Sequence, residues 1–331
     1  MLLLSHHPEY KHVLTAMTLF QLDPSTFNSL ISTPRTIVIT GGSSGIGLTT
    51  ATLLSSLNPN HNLVLIDLQP PPQTFKHDPA HLLVHTCNIT SWRDQRAGFE
   101  KGYQKFGRID AVFVNAGIAE YKDQFFTDDL DSDGKLEEPD RRVLNIDMDA
   151  AADTTKLAIH YLRKNPDGGS IALTASLAGY LASAGAPLYS AAKHGIVGLM
   201  RALKQECAKL RISISVVAPA ITVTPILSAG NRSDHGNGSS EKEYAEKMQA
   251  MGVPINKPES VALAVCWLFE EGMRAHGVGV FVQGGKFVDL ERGLAGSRGA
   301  WMGREMLDDF RGGRGAPLFQ RLEGEGGKPK I

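Results

Sequence analysis

The chain contains few cysteines, and this scarcity excludes two kinds of site. Its 331 residues include three, Cys87, Cys207 and Cys266, which are too few and too scattered for a disulfide framework or a metal site. Each lies in an apolar stretch, where a cysteine behaves as a small hydrophobic side chain. We therefore expect buried thiols in a reducing compartment and no metal site.

The chain also lacks an excess of charge of either sign and any long apolar run. Its 34 lysines and arginines balance 35 aspartates and glutamates, so we expect neither a nucleic acid nor a membrane surface as a partner. No apolar run approaches the roughly 20 residues that span a bilayer. The first residues are too short an apolar run for a signal peptide, and Met17 reads as a start as well as Met1 does. We expect a cytoplasmic protein.

From Arg35 onward, short β-branched runs alternate with longer helical patterns. This alternation favours a parallel sheet that is covered by helices on both faces. The first run is almost wholly apolar, as in a strand buried on both sides. We predict an α/β fold with one doubly wound sheet of seven parallel strands, at 36–40, 63–67, 82–85, 111–114, 170–173, 212–217 and 278–282.

Three segments do not follow this alternation of strands and helices. We predict an N-terminal extension over residues 1–33, the sheet domain over 34–285 and a C-terminal extension over 286–331. Within the domain, residues 225–250 are polar and glycine-rich, above all at 230–240, and should form a mobile lid over a substrate.

A glycine-rich turn, Thr40-Gly-Gly-Ser-Ser-Gly-Ile-Gly47, follows the first predicted strand and precedes a helix. Glycines at 41, 45 and 47 permit a tight turn and a close approach of backbone to a pyrophosphate. The helix N-terminus offers free N–H groups and a partial positive charge. This position between a buried strand and a helix indicates a nucleotide site rather than a simple turn.

Asp67 ends the second predicted strand, twenty residues after Gly47. A carboxylate there can accept the ribose hydroxyls of NAD and would repel the 2′-phosphate of NADP. Leu68 and Gln69 follow it, so no arginine stands beside it to bind that phosphate. We expect NAD, with NADP as the alternative.

Tyr189 and Lys193 lie four residues apart, on one face of a predicted helix. A free tyrosine is a poor base at neutral pH, because it ionises near pH 10. An ammonium about 4 Å away would favour the phenolate by roughly 4 kcal/mol at an effective dielectric of 20. The pair alone is commonplace on solvated helices.

Two further residues strengthen the case for the pair. Ser176 follows a predicted strand at its carboxyl end, where ligands bind in open α/β sheets, and its hydroxyl could bind a substrate oxygen that gains negative charge. Asn145 lies near the start of a long predicted helix, at about 147–164. It is either a site residue or a satisfied core amide.

Over residues 35–285 the sequence resembles the short-chain dehydrogenase/reductase family, of its classical type. The matching motifs are Thr40-Gly-x-x-x-Gly-x-Gly47, Asn115-Ala-Gly117, Asn145, Ser176 and Tyr189-x-x-x-Lys193. The chain is similar to the branch that contains 15-hydroxyprostaglandin dehydrogenase and fungal secondary-metabolite dehydrogenases. The resemblance implies a single Rossmann-type domain, and a homodimer or homotetramer through helices at about 147–164 and 187–209.

The resemblance also implies roles for individual residues. Tyr189 would be the catalytic acid/base, Lys193 would promote its ionisation and bind the nicotinamide ribose, Ser176 would orient the substrate oxygen, and Asn145 would hold a water in a proton relay. The residues predicted to contact the cofactor are Gly41, Ser43, Ser44, Gly45, Ile46, Gly47, Asp67, Asn88, Ile89, Asn115, Ala116, Gly117, Tyr189, Lys193, Thr222 and Thr224.

These roles predict an NAD(H)-dependent enzyme that interconverts a secondary alcohol and a ketone. Mostly apolar residues near Ala178, Tyr180, Leu181 and Ala184 should contact the substrate, so we expect a hydrophobic small molecule, for example from secondary metabolism. The alternatives are an NADP-dependent ketoreductase and a catalytically idle nucleotide-binding scaffold.

Overall fold

The computed structural model describes residues 19–120, 122–229 and 241–313. They fall into a large compact unit, which ends at Leu290, and a small one that begins at Glu291. The centre of the predicted lid, residues 230–240, lies outside the described residues. No helix in the part of the chain that the structure describes is long and apolar enough to cross a membrane.

A single sheet organises the large unit. Its order is β1-β9-β8-β7-β6-β5-β2-β3-β4, and the seven strands from β8 to β4 are parallel. The strands are β1 (Leu19–Phe20), β2 (Thr36–Thr40), β3 (Asn62–Asp67), β4 (Leu82–Thr86), β5 (Ala111–Val114), β6 (Gly169–Thr174), β7 (Ile212–Pro219), β8 (Gly279–Gln283) and β9 (Lys286–Asp289). The predicted parallel sheet is therefore confirmed.

Two short antiparallel strands, β9 and β1, extend the sheet at one edge, within segments that the sequence assigned to the extensions. The turn from β8 to β9 is made by Gly284 and Gly285, both with positive φ, at 56° and 73°. Two consecutive glycines in this conformation suit a tight hairpin. Neither strand was predicted from the sequence, because β1 has only two residues and β9 combines two apolar residues with a lysine and an aspartate instead of forming an apolar run.

Helices cover both faces of the sheet. The longer ones are α2 (Gly45–Leu57), α3 (Trp92–Phe106), α5 (Ala151–Leu162), α7 (Pro187–Lys209) and α10 (Pro258–Glu271). The shorter helices of the large unit are α1 (Asn28–Ser32), α4 (Arg142–Leu144), α6 (Ala178–Leu181), α8 (Ile226–Ala229) and α9 (Glu241–Ala250). After Leu290, the first residue of α11 (Leu290–Gly296), the chain continues in the small unit, which contains α12 (Arg298–Met302) and α13 (Arg304–Gly313). One π-helical segment, Asn145–Ala150, joins α4 to α5.

The two faces of the sheet carry separate hydrophobic cores. Val38 and Val112 point to the core beneath α3, α5 and α7, while Ile37, Ile39 and Phe113 point to the core beneath α1, α2 and α10. Successive residues alternate between cores because side chains alternate along a strand.

The chain runs from β2 to β3 and β4 on one side of the sheet, then crosses to β5 on the other. Ligands of open α/β sheets bind at such a reversal, outside the carboxyl ends of the strands. We therefore expect a ligand site at the carboxyl ends of β2 and β5.

Candidate active site

A cavity of about 590 Å³ opens at the carboxyl ends of β2, β5, β6 and β7. All the predicted site residues line it except Ser43, Gly47 and Asn145. The predicted residues in its wall are Gly41, Ser44, Gly45, Ile46, Asp67, Asn88, Ile89, Asn115, Ala116, Gly117, Ser176, Tyr189, Lys193, Thr222 and Thr224.

The glycine turn is closed by contacts that leave no room for side chains. Gly41 has a φ of +64°, and a Cβ there would lie 2.9 Å from the Cα of Ala116. A Cβ on Gly47 would lie 2.0 Å from the carbonyl oxygen of Gly41. Gly47 therefore lies behind the cavity wall, where it lets the first turn of α2 pack against β2.

Ser43 and Asp67 connect this turn to the end of β3. The Ser43 amide donates to Oδ2 of Asp67 at 2.9 Å, and the Leu68 amide donates to Oδ1 at 2.7 Å. The Ser43 hydroxyl is buried without a hydrogen-bond partner. Ser44, at the N-cap of α2, makes no side-chain capping bond, so the helix offers amide donors to an anion. A dinucleotide pyrophosphate fits this donor set.

Asn115 ties β5 to the glycine turn. Its side-chain amide donates to the carbonyl oxygens of Thr40 and Gly41, at 3.2 and 3.3 Å, and its Oδ1 accepts from the Thr174 hydroxyl at 3.1 Å. It thus joins the ends of β2, β5 and β6.

Tyr189, Lys193 and Ser176 line the same cavity. Lys193 is 4% exposed; its Nζ lies 5.5 Å from the centre of the Tyr189 ring and donates to the Thr174 carbonyl at 3.0 Å. The hydroxyl of Ser176 accepts from the Ala178 amide at 3.1 Å. The structure therefore brings the three residues together around one space.

The structure does not bring Asn145 to this cavity. Asn145 is exposed, whereas Asp147, two residues on, is 1% exposed and lines the cavity. Helical residues turn by about 100° each, so residues two apart point to nearly opposite sides and only one can face inward. The predicted site residue Asn145 therefore lies outside the cavity wall, and Asp147, which was not predicted, lies in it.

Asp147 forms a buried ion pair with Lys193. Its Oδ2 lies 3.0 Å from Nζ, and its Oδ1 accepts from the Ile118 amide at 2.8 Å. Burial disfavours the Lys193 ammonium, but the Asp147 carboxylate, together with Tyr189, outweighs burial and raises the pKa of Lys193. A Cβ on Gly117 would come within 2.9 Å of Oδ2, so this glycine makes room for the carboxylate.

Glu120 is a second carboxylate in the cavity wall that sequence reasoning missed. Its Oε2 accepts from the Tyr189 amide, in the first turn of α7, at 2.8 Å. Its Oε1 is buried without a hydrogen-bond partner. No sequence signal marked this residue, because its contact with α7 joins positions 69 residues apart.

The rest of the wall is mostly apolar. Ala178 lines the cavity as predicted, but Tyr180, Leu181 and Ala184 do not, because the single turn of α6 directs Leu181 to solvent, where it is 73% exposed. Other residues of the wall include Ala182, Ala186, Leu227, Val253, Pro254 and Gln283.

Cys87 also lines the cavity. Burial raises the pKa of its thiol to about 11, so it contributes a neutral side chain to the wall. All three cysteines are buried and free, as the sequence analysis expected. Among the residues that the structure describes, no three His, Cys, Asp or Glu side chains are placed to hold a metal ion.

The sequence is similar to those of known proteins. The family model described as short chain dehydrogenase matches residues 35–234. The short-chain dehydrogenase/reductase prx4 of Penicillium roqueforti is 31% identical, over 83% of this chain and 82% of its own. The short-chain dehydrogenase/reductase ascJ of Acremonium egyptiacum is 33% identical, over 78% of this chain and 82% of its own.

Solved structures share the fold. The 3-ketoacyl-(acyl-carrier-protein) reductase of Brucella melitensis, solved in complex with NADH, superposes with a TM-score of 0.60. It is 20% identical, and the match covers 78% of this chain and 99% of the reductase. At this identity the likeness supports the fold alone.

Proposed function

The chain belongs to the short-chain dehydrogenase family and is an oxidoreductase that acts on CH–OH groups, and from this premise we propose that it interconverts a secondary alcohol and a ketone with NAD(H). The observation that carries the proposal is the meeting of Ser176, Tyr189 and Lys193 in one cavity with the glycine turn. Cofactor binding and proton transfer would therefore take place in the same cavity.

The cofactor would lie along the wall from the turn to α7. The turn at 41–47 would hold the pyrophosphate, and Asn88 and Ile89 would contact the adenine. Thr222 and Thr224, both buried, would hold the nicotinamide carboxamide end. When bound, the nicotinamide supplies or accepts the hydride.

Residues of this chain would transfer the proton to and from the substrate oxygen. Ser176 would donate a hydrogen bond to the substrate oxygen, Tyr189 would exchange the proton of that oxygen, and Lys193 would bind the nicotinamide ribose. Stabilising charge on the substrate oxygen lowers the barrier, because fixed donors need not reorganise during the reaction.

We propose NAD in preference to NADP because Asp67 lines the cavity at the end of β3. Its carboxylate can accept ribose hydroxyls, and a 2′-phosphate would face a negative charge. We expect the wild type to bind NADH more tightly than NADPH. Asp67→Ala should reduce that preference by about tenfold to 100-fold, since a charge-assisted hydrogen bond contributes roughly 1.5–3 kcal/mol. A wild-type preference for NADPH would identify an NADP-dependent ketoreductase instead.

The apolar wall supports a hydrophobic substrate, such as a lipid, polyketide or terpenoid alcohol of secondary metabolism. A panel of such alcohols and ketones, followed by NADH absorbance in both directions, tests the function. We expect turnover of apolar members, with small polar alcohols as the control. Binding of NADH without turnover of any member would instead favour the idle scaffold. The cytoplasmic location and the homo-oligomeric state stay predictions.

A further inference from the structure

Asn256 lies directly behind one part of the cavity wall. It belongs to the segment between α9 and α10 and is 1% exposed. It does not line the cavity itself, but three segments that meet at it do, through Pro254, Thr222 and Gln283. A buried polar side chain at the junction of three wall segments can fix their positions relative to one another.

The side chain of Asn256 connects to β8 and to the hairpin turn that follows it. Its Nδ2 donates to the Val282 carbonyl at 2.8 Å, and its Oδ1 accepts from the Gly284 amide at 2.8 Å. These two contacts determine which side of the group carries the oxygen, because a backbone N–H needs an acceptor and a carbonyl needs a donor. They lie on either side of Gln283, which is thereby held at the cavity.

The same Nδ2 reaches the segment after β7. It lies 3.4 Å from both the Thr222 hydroxyl and the Ala220 carbonyl, so these two acceptors share one of its two hydrogens. The Thr222 hydroxyl donates to the Ala220 carbonyl at 2.9 Å. Its proton is therefore engaged, and toward a ligand the Thr222 oxygen acts as an acceptor. The amino group of a nicotinamide carboxamide is a donor that matches it.

The backbone of Asn256 binds the same segment. Its N–H donates to the Ile221 carbonyl at 2.8 Å, and its carbonyl accepts from the Val223 amide at 3.0 Å. Both neighbours of Thr222 are thus bonded to Asn256, in a parallel bridge outside the named strands. The pairing of β7 with β8 ends at Pro219. Asn256 therefore supplies backbone partners to a segment that has left the sheet.

A purely structural role would also require hydrogen bonds, because buried amides in folded proteins are almost always paired. The contacts of Asn256 differ from such a role in where they lead. Every residue that it bonds either lines the cavity or is next to a residue that does. A change at Asn256 would therefore be transmitted to the wall that would bind the nicotinamide.

We propose that Asn256 is a positioning residue that places Thr222 for the nicotinamide carboxamide and so fixes the orientation of the nicotinamide ring. The inference rests on the proposed function and deepens it, because it assigns the placement of the cofactor's reactive end to a residue outside the cavity. A displacement of about 1 Å can slow an enzymatic reaction by about 100-fold. The adenosine half would be bound elsewhere, by Asp67 and the glycine turn.

Two ligands separate the two ends of the cofactor. NADH carries the nicotinamide and ADP-ribose lacks it, and calorimetric titration of the full-length protein measures both affinities without turnover. Asn256→Ala removes both side-chain hydrogen-bonding atoms. We expect its NADH affinity to fall by about tenfold, the equivalent of one or two neutral hydrogen bonds, while its ADP-ribose affinity stays within about twofold of wild type.

Asn60→Ala is the matched control, because Asn60 is an exposed asparagine just before β3, and both affinities should stay within about twofold of wild type. An equal loss of affinity for both ligands in Asn256→Ala would show a structural role alone and would overturn the inference, as would an unchanged NADH affinity. Failure of the wild type to bind NADH would contradict the proposed function instead.

Hydrogen exchange in the wild type tests the same coupling and needs no folded variant of Asn256. Compared with ADP-ribose, NADH should slow the exchange of backbone amides at 220–224 and at 255–257 together, because the two segments are bonded to each other. Protection of 220–224 without protection of 255–257 would overturn the inference.

The rate of ketone reduction gives a last measurement once the panel yields a substrate. With NADH saturating, kcat of Asn256→Ala should fall by about tenfold to 100-fold. The KM for the ketone should stay within about twofold of wild type, because Ser176 and Tyr189 would bind the substrate oxygen. A raised KM with an unchanged kcat would contradict the inference, and an absence of turnover in the wild type would contradict the proposed function while leaving the binding results standing.

Discussion

At the amino ends of the parallel strands, charged side chains form hydrogen bonds with backbone groups. At the carboxyl ends, charged side chains line the cavity. Arg35 donates to the Phe269 carbonyl at 2.8 Å, and Glu270 accepts the amides of Ser29 and Leu30 at 3.1 and 2.9 Å. These contacts join α1 and the residue before β2 to α10. The charges at the amino ends are therefore structural.

At the carboxyl ends, Lys193, Asp147 and Glu120 line the cavity. An oxygen of Glu120 and the hydroxyl of Ser43 are buried there without hydrogen-bond partners, and at the amino ends Nε2 of His61 is buried without one as well. Unsatisfied buried polar atoms are costly in a folded protein, and a ligand that pairs with them would recover that cost. Since unpaired atoms occur at both ends, it is the cavity that assigns ligand binding to the carboxyl ends.

The largest expected effect on stability concerns His61, at the amino end. Its Nδ1 accepts the Arg35 amide at 2.9 Å, and burial, with the nearby Arg35 charge, lowers its pKa to about 4. The unfolded chain therefore takes up a proton near pH 6.5, and the folded chain does so only near pH 4. Stability should fall as the pH drops through this window, by about 3 kcal/mol.

Chemical denaturation of the wild type and His61→Asn between pH 4 and 8 measures this loss. The variant should be less stable at pH 8 but should have a flatter dependence on pH below 6.5. Above pH 7 the two curves should run parallel, which serves as the internal control. An equally steep fall in the variant would assign the loss to other groups.

Gly47→Ala should weaken cofactor binding next most strongly, because its Cβ would lie 2.0 Å from the Gly41 oxygen. Relief of such a clash costs about 1–3 kcal/mol, so NADH affinity should fall by about tenfold to 100-fold. Titration with NADH measures the loss. A Cβ at Gly293, in α11, meets nothing within 4 Å, so Gly293→Ala should bind NADH as the wild type does. Unchanged affinity in Gly47→Ala would contradict the role given to the turn.

Glu120→Gln should have the smallest effect. The carboxylate binds an amide in the first turn of α7, where a negative charge stabilises a helix by about 0.3–1 kcal/mol, and glutamine keeps an acceptor. Thermal unfolding should show a loss of that size. Glu206→Gln, an exposed change near the other end of α7, should change stability by less than about 0.5 kcal/mol. If Glu206→Gln lost more stability than Glu120→Gln, the carboxylate of Glu120 would have no particular stabilising role at the start of α7.

The sequence predicted the features that backbone patterns specify. The seven parallel strands follow from apolar runs, and the glycine turn from three glycines between a strand and a helix. Tyr189 and Lys193 meet because helical residues four apart share a face. Each of these relations is local in the chain.

The missed features depend on contacts between distant segments. Asp147 faces Lys193 through the packing of the π-helical segment on α7, and the choice between positions 145 and 147 depends on which side of that segment is buried. Glu120 meets α7 across 69 residues. The strands β1 and β9 pair from opposite ends of the large unit. Tertiary packing alone determines these three features.

The rate of ketone reduction in Tyr189→Phe tests the account's central claim most directly. The single-turnover rate, followed by NADH absorbance with both proteins saturated by NADH, should fall by about 100-fold to 10,000-fold, because the phenyl ring cannot donate a proton. NADH affinity should remain within about twofold of wild type. A variant that keeps more than about a tenth of the wild-type rate would contradict the claim that Tyr189 transfers the proton.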